Sequence, residues 1–213
     1  PKKQPNPQIA ETVVLGVTID PDATPGDREL RLATADGLTN PLCFQVGAWR
    51  EVCEQEPTRV SPGPQPPVDP PVTLNGQIMP GDTDRFTISA KQGQRLVVQV
   101  QARRLMPYLA DAVPGWFQAT VALQDAEGGE LAYADDYRSD PDPVLLFEVP
   151  RDGQYRLEVR DSIYRGREDF VYRIAVSEQP FITGLFPLGG KVNTPTLANV
   201  TGWNLPSEQV QLD

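Results

Sequence analysis

The chain has 213 residues, among them 23 prolines, 17 glycines and no histidine, and carries a formal charge of −10. Its 39% hydrophobic content is enough to bury a core, so it is a folded protein of one large or two modest domains rather than a disordered one. The acidic balance argues against nucleic acid and anionic membrane, which clustered Lys and Arg capture, and favours cations as partners.

Without an imidazole, Ser-His-Asp and Cys-His arrangements, HExxH zinc sites and the usual neutral-pH proton shuttle are excluded. Neither G-x-x-x-x-G-K-[ST] nor G-x-G-x-x-G occurs, so phosphate-cradling loops are not supported. Carboxylate-pair chemistry of the glycosidase kind survives, but among 29 acidic residues pairs are inevitable and say nothing by themselves. No catalytic residue is assigned, and an enzyme is not expected. No apolar run approaches the roughly 18 residues of a membrane span, and Pro1-Lys2-Lys3-Gln4-Pro5 does not read as a signal peptide.

The first elements are strands. Val13, Leu15, Val17 and Ile19 alternate with other residues, Pro21 to Gly26 turns, and Leu30 and Leu32 alternate again. After Ala35-Asp36-Gly37 a third run carries Leu42, Phe44 and Val46. Pro25-Gly26-Asp27-Arg28-Glu29-Leu30, Gly37-Leu38-Thr39-Asn40-Pro41 and Phe44-Gln45-Val46-Gly47 together resemble the end of an IPT/TIG-type immunoglobulin-like domain. Cys43 and Cys53 flank Gly47-Ala48, where a turn would bring them into bonding range, provided their Cα atoms lie within about 7 Å. A bridge there would add about 2 to 3 kcal/mol on the chain-entropy model. Two buried thiols are the alternative.

Seven prolines between Pro57 and Pro71 mark a stiff connector reaching about 45 Å if extended as polyproline II, which could also fold back along the next domain. From there period-two alternation sets in. It runs through Phe86 and Ile88; Leu96, Val98 and Val100; Phe117, Ala119, Val121 and Leu123; and Leu145, Phe147 and Val149. It continues through Tyr155, Leu157 and Val159 and through Phe170, Tyr172, Ile174 and Val176. About eight strands are expected, with Arg156, Glu158, Arg160 and Arg173 solvated on the opposite faces, and Arg103 to Gly115 as a short helix or a covering loop. The turns Asn75-Gly76-Gln77-Ile78, Gly81-Asp82-Thr83-Asp84-Arg85-Phe86, Gly93-Gln94-Arg95-Leu96, Tyr133-Ala134-Asp135-Asp136 and Asp152-Gly153-Gln154-Tyr155-Arg156-Leu157, with Tyr172-Arg173-Ile174, resemble the bacterial pre-peptidase C-terminal (PPC) domain, a non-catalytic module of secreted proteins. Beyond Pro180, Phe181-Ile182-Thr183-Gly184-Leu185-Phe186-Pro187 and Val200-Thr201-Gly202-Trp203-Asn204 resemble the opening strands of a second IPT/TIG domain.

The expected organisation is all-β: a β-sandwich or jelly roll over 72–178, partial immunoglobulin-like units over 1–48 and 179–213, and an acidic, Pro-rich linker over 49–71. Two half-domains suggest a piece of a longer tandem array, or halves that pair between chains. Glu54 and Glu56 in the linker and Asp82 and Asp84 at the first clear strand could meet as oxygen ligands of calcium. Their placement resembles collagen-binding modules of clostridial collagenases, in which an acidic linker supplies calcium ligands. Thr58 and Arg59 depart from that pattern, leaving solvated carboxylates as the alternative. Asp135, Asp136, Asp140 and Asp142 read as turn caps. Tyr137 and Tyr164, each in a polar loop, are candidate contact residues for polysaccharide or protein. The expected partners are other domains of a parent protein, an extracellular polysaccharide or protein, or a second copy, with no nucleic acid and no membrane insertion. The expected setting is secreted, periplasmic or cell-surface, and the expected role is spacing, stabilisation or binding.

Overall fold

The computed structural model describes residues 13–55, 65–107 and 116–212, and these contain strands and turns but no α-helix. The chain divides into two compact units, 1–46 and 47–213.

In the first unit β1 (Gly26–Leu30) pairs antiparallel with β4 (Leu42–Val46), while β2 (Ala33–Thr34) and β3 (Gly37–Leu38) form a two-residue ladder between them. Gly37 turns that ladder at φ +134°, a conformation that a Cβ disfavours. The expected strand through Val13, Leu15, Val17 and Ile19 does not form. Those side chains are 41–56% exposed, and residues 13–20 have no ladder partner among the described residues, so the alternation there has no sheet to bury it.

The second unit holds the sandwich. Its strands are β5 (Arg50–Cys53), β6 (Val72–Gln77), β7 (Asp84–Ala90), β8 (Arg95–Gln101), β9 (Ala119–Gln124), β10 (Glu130–Ala134), β11 (Val144–Glu148), β12 (Gly153–Asp161) and β13 (Val171–Ser177). One sheet has the order β10-β9-β12-β7, the other β11-β8-β13-β6-β5. Period two decides which side chains face the core. Phe86 and Ile88, Leu96, Val98 and Val100, Val121 and Leu123, Tyr155, Leu157 and Val159, and Tyr172, Ile174 and Val176 are all buried in one cluster. At about 25 cal/mol per Å² of apolar surface removed from water, this cluster is the dominant stabilising term. Phe117 stacks on Phe170 at 5.1 Å within it.

The stretch expected to be a linker contributes to the sandwich at both ends. Residues 50–53 form β5, which pairs in parallel with β6 in the register Arg50↔Val72 to Cys53↔Asn75. Val68 is buried and bridges Ile88, exchanging Val68 N to Thr87 O at 2.9 Å and Ser89 N to Val68 O at 2.9 Å. Folding back along the next domain therefore describes 65–71, and part of the connector lies outside the described residues. The expected Cys43–Cys53 bridge does not form either. Cys43 lies on β4 and Cys53 on β5, strands of different sheets, and both are exposed thiols. Beyond Gly47-Ala48, β5 pairs in parallel with β6.

Residues 102–105 after β8 form a turn, and the rest of the expected helix-or-loop segment, 108–115, lies outside the described residues. Beyond the sandwich, β14 (Phe181–Phe186), β15 (Thr196–Trp203) and β16 (Gln209–Leu212) form a three-stranded antiparallel sheet.

Candidate functional site

Three of the four proposed calcium ligands lie in the described residues, and two of them meet. Asp84 opens β7 with the same parity as Phe86 and Ile88, so its carboxylate points into the sandwich, where it is 8% exposed. Tyr172 shares the parity of Ile174 and Val176 on β13, and its buried hydroxyl donates to Asp84 Oδ2 at 2.6 Å. The Tyr172 hydroxyl oxygen also lies 3.4 Å from Glu54 Oε2. Glu54 is held from the other side, where its Oε1 accepts Gln77 N at 2.6 Å and its own N donates to Asn75 O at 2.8 Å. Gly76 makes the approach possible. A Cβ there would lie 2.2 Å from Tyr172 Oη and 2.6 Å from Glu54 Oε2.

Burial pushes the Asp84 carboxyl up to about 9, with its contact to Glu54 adding to the shift and the Tyr172 hydrogen bond opposing it. Burial likewise raises the Tyr172 phenol, with the negative charge of Asp84 next in weight. Neither Glu54 nor Asp84 has an Arg or Lys partner among the described residues, so a proton or an external cation must balance the pair. Asp82 is not drawn into the same contact. Its Oδ1 accepts Thr83 N at 2.8 Å, while its Oδ2 is buried without a hydrogen-bond partner. Glu56 lies outside the described residues. Among those described, no three His, Cys, Asp or Glu side chains gather closely enough to hold a metal.

A second cluster pins β5 from the outer face. Arg173 reaches Glu51 with both guanidinium nitrogens, at 2.9 and 2.7 Å, and Asn75 Oδ1 at 2.9 Å, while Asn75 Nδ2 donates to Glu51 Oε2 at 2.7 Å. Arg173 is therefore half-buried and paired, where simple solvation was expected. Glu158 pairs with Arg85 at 3.0 Å, and Arg160 lies over the Tyr164 ring at 4.7 Å.

Two further buried carboxylates tie loops together. Asp142 accepts Arg103 N at 2.8 Å and Arg104 N at 2.9 Å, and Asp140 Oδ1 accepts Asp142 N at 3.0 Å, in line with the capping expected there. Asp161 is fully buried at the end of β12. It accepts Gln118 N at 3.1 Å, Ile163 N at 3.2 Å and Arg165 N at 3.0 Å, and receives the Arg165 guanidinium on both oxygens at 3.1 Å. The sequence reading missed it, although Asp161 continues the inward parity of Tyr155, Leu157 and Val159.

The two candidate contact tyrosines part company. Tyr164 is 55% exposed, at φ +58°. Tyr137 is half-buried. Its ring meets Phe181 edge-on at 5.2 Å and its hydroxyl is enclosed without a hydrogen-bond partner, because the loop that carries it packs on β14 rather than standing in solvent.

No family model matches the chain. A probable subtilase-type serine protease of Deinococcus radiodurans is 38% identical over 80 residues, which is 38% of this chain and 10% of that protein. The chain thus spans about a tenth of the length of that curated relative. Among solved structures, the pre-peptidase C-terminal domain of a collagenase from Bacillus anthracis is 17% identical over 52% of this chain and 92% of its own, with a TM-score of 0.37. The PliG periplasmic inhibitors of g-type lysozyme from Aeromonas hydrophila and Salmonella Typhimurium are 16% and 15% identical. They cover 61% and 60% of this chain and 100% and 98% of their own, each at a TM-score of 0.33.

Proposed function

We propose that the chain is a non-catalytic accessory segment of a larger secreted protein, serving to space and stabilise the domains beside it. The observation that carries this reading is how the buried carboxylates are used. Asp142 and Asp161 are consumed by backbone amides and an arginine, and Asp84 by Tyr172 and Glu54. A glycosidase needs two carboxylates facing a substrate cleft, and these three face the interior or close a loop. An 80-residue likeness to one part of a subtilase-type serine protease fits a module carried beside a catalytic domain. The test is a panel of glycan and peptide substrates offered to the purified chain. Turnover that disappears on changing Asp84 or Asp161 would sink the reading.

A second reading places calcium at the Glu54–Asp84 pair, favoured by the absence of a cationic partner to either carboxylate among the described residues. The donors are all oxygen, as a hard cation requires, but two carboxylates and a phenol fall short of the six to eight that calcium takes. Glu56 and neighbouring carbonyls would have to complete the set. Calcium there would neutralise the pair and fasten β5 to β7 and β13. Thermal unfolding in excess calcium and in excess chelator decides it, since a ligand of the folded state alone raises the transition. A rise that Asp84→Asn abolishes supports the ion, and coincident curves leave a shared proton. Tyr164 remains the residue available for contact with a polysaccharide or protein.

A further inference from the structure

The connection from the sandwich to the last sheet is short: β13 ends at Ser177 and β14 begins at Phe181. Phe181 and Trp203 face each other as the terminal rung of the β14–β15 ladder. The sandwich touches both sides of that rung from two separate loops. On one side the Arg95 guanidinium lies over the Trp203 ring, 4.0 Å from its centroid, and Arg95 O accepts Asn204 Nδ2 at 2.7 Å. On the other the Tyr137 ring packs edge-on against Phe181 at 5.2 Å, and the Arg138 guanidinium donates to Thr183 O.

Two residues hold left-handed backbone to make these contacts, Arg138 at φ +61° and Asn204 at φ +55°. Such conformations are unusual outside glycine and persist where surrounding contacts over-determine them. The Arg95 guanidinium has no carboxylate partner among the described residues, so its stacking on Trp203 is what fixes it.

We propose that the sandwich and the β14–β16 sheet are locked as one rigid body by this two-sided clamp on the Phe181–Trp203 rung. The chain then sets an angle between its sandwich and its last sheet, where a short polar junction would otherwise leave the two free to swing. This goes beyond a spacing role, because a spacer of the same length could be either stiff or loose.

The experiment is a distance distribution between spin labels at Gln154→Cys on β12 and Val210→Cys on β16, both exposed, with Cys43 and Cys53 changed to Ser. A single narrow distance is expected. Arg95→Gln combined with Arg138→Ala should broaden it at least about twofold, while the far-UV spectrum stays unchanged. A broad distribution before any clamp residue is altered would overturn the proposal, and so would a distribution that stays narrow in the double variant. Should that variant not fold, Asn204→Gly carries the test. It deletes the amide that holds Arg95 O without straining the left-handed backbone, and no broadening there would overturn the clamp.

Discussion

Replacing Asp84 by Asn should make the protein more stable at pH 8. In the folded chain the carboxyl is pushed up to about 9 from an ordinary 3.8, chiefly by burial. A group whose folded value is raised contributes stability that is fully present below the unfolded value and is lost as pH rises through the folded one. The window therefore opens near pH 4 and closes near pH 9. At about 1.4 kcal/mol per pH unit, the upper bound on the loss between pH 4 and pH 7 is about 4 kcal/mol, and sharing of the proton with Glu54 reduces it. Asparagine cannot ionise. Its Oδ1 can accept the Tyr172 hydroxyl and its Nδ2 can donate to Glu54, so the contacts survive without the titration. Urea unfolding without divalent cations, at pH 5, 7 and 8.5, should show wild-type stability falling with pH and the variant nearly flat. The variant should lead by about 2 to 3 kcal/mol at pH 8.5 and by little at pH 5. Calcium should close the gap only if it occupies the pair. Parallel pH profiles, or a variant weaker at pH 8.5, would refute the account of a buried acid lacking a countercharge.

The other predictions use the same unfolding measurement. Gly76→Ala should cost about 2 to 3 kcal/mol, because its Cβ would meet Tyr172 Oη and Glu54 Oε2 well inside van der Waals contact; a loss below the error of the titration would count against the packing described. Asp161→Ala takes the carboxylate away from the Arg165 guanidinium and from three backbone amides, and a destabilisation of about 3 to 5 kcal/mol is expected. Glu51→Gln weakens a partly exposed ion pair, so global stability should change by less than about 1 kcal/mol, while amide exchange at β5 speeds up. Tyr137→Ala should lower stability by about 1 kcal/mol through its lost contact with Phe181, and Tyr164→Ala should leave it unchanged.

The sandwich was legible in the sequence because period two and burial coincide. Phe86, Leu96, Leu157 and Tyr172 face inward for the reason that they alternate, and the turns between them carry Gly and Asp. The same parity, applied to polar residues, points Asp84 and Asp161 inward, although the alternation argument was used only for apolar ones. Glu54 and Asp84 could be named together from sequence, but Tyr172 as the group between them could not, since its role depends on the missing Cβ of Gly76. Alternation failed at Val13 to Ile19, where nothing in the local pattern says whether a partner strand exists. It failed differently at β5, whose four residues were hidden next to a proline-rich run and whose partner lies about twenty residues on. Tyr137 misled because a polar loop reads as solvated until another sheet is found packed on it.

The parallel placement of β5 beside β6 has a consequence for cutting the chain. Parallel neighbours require a long crossover, and here residues 54–71 supply it. While that crossover is intact, β5 meets its site at an effective concentration of about a millimolar or more, so a strand of four residues suffices to hold it. One hydrolysed bond between Glu56 and Pro64 would remove that advantage. Strand β5 would then be retained as part of a separate molecule by its four-residue ladder, the partly exposed Glu51–Arg173 pair and the Glu54 hydrogen bonds. The piece that departs would then be defined by the β5–β6 ladder and not by the unit boundary at Val46.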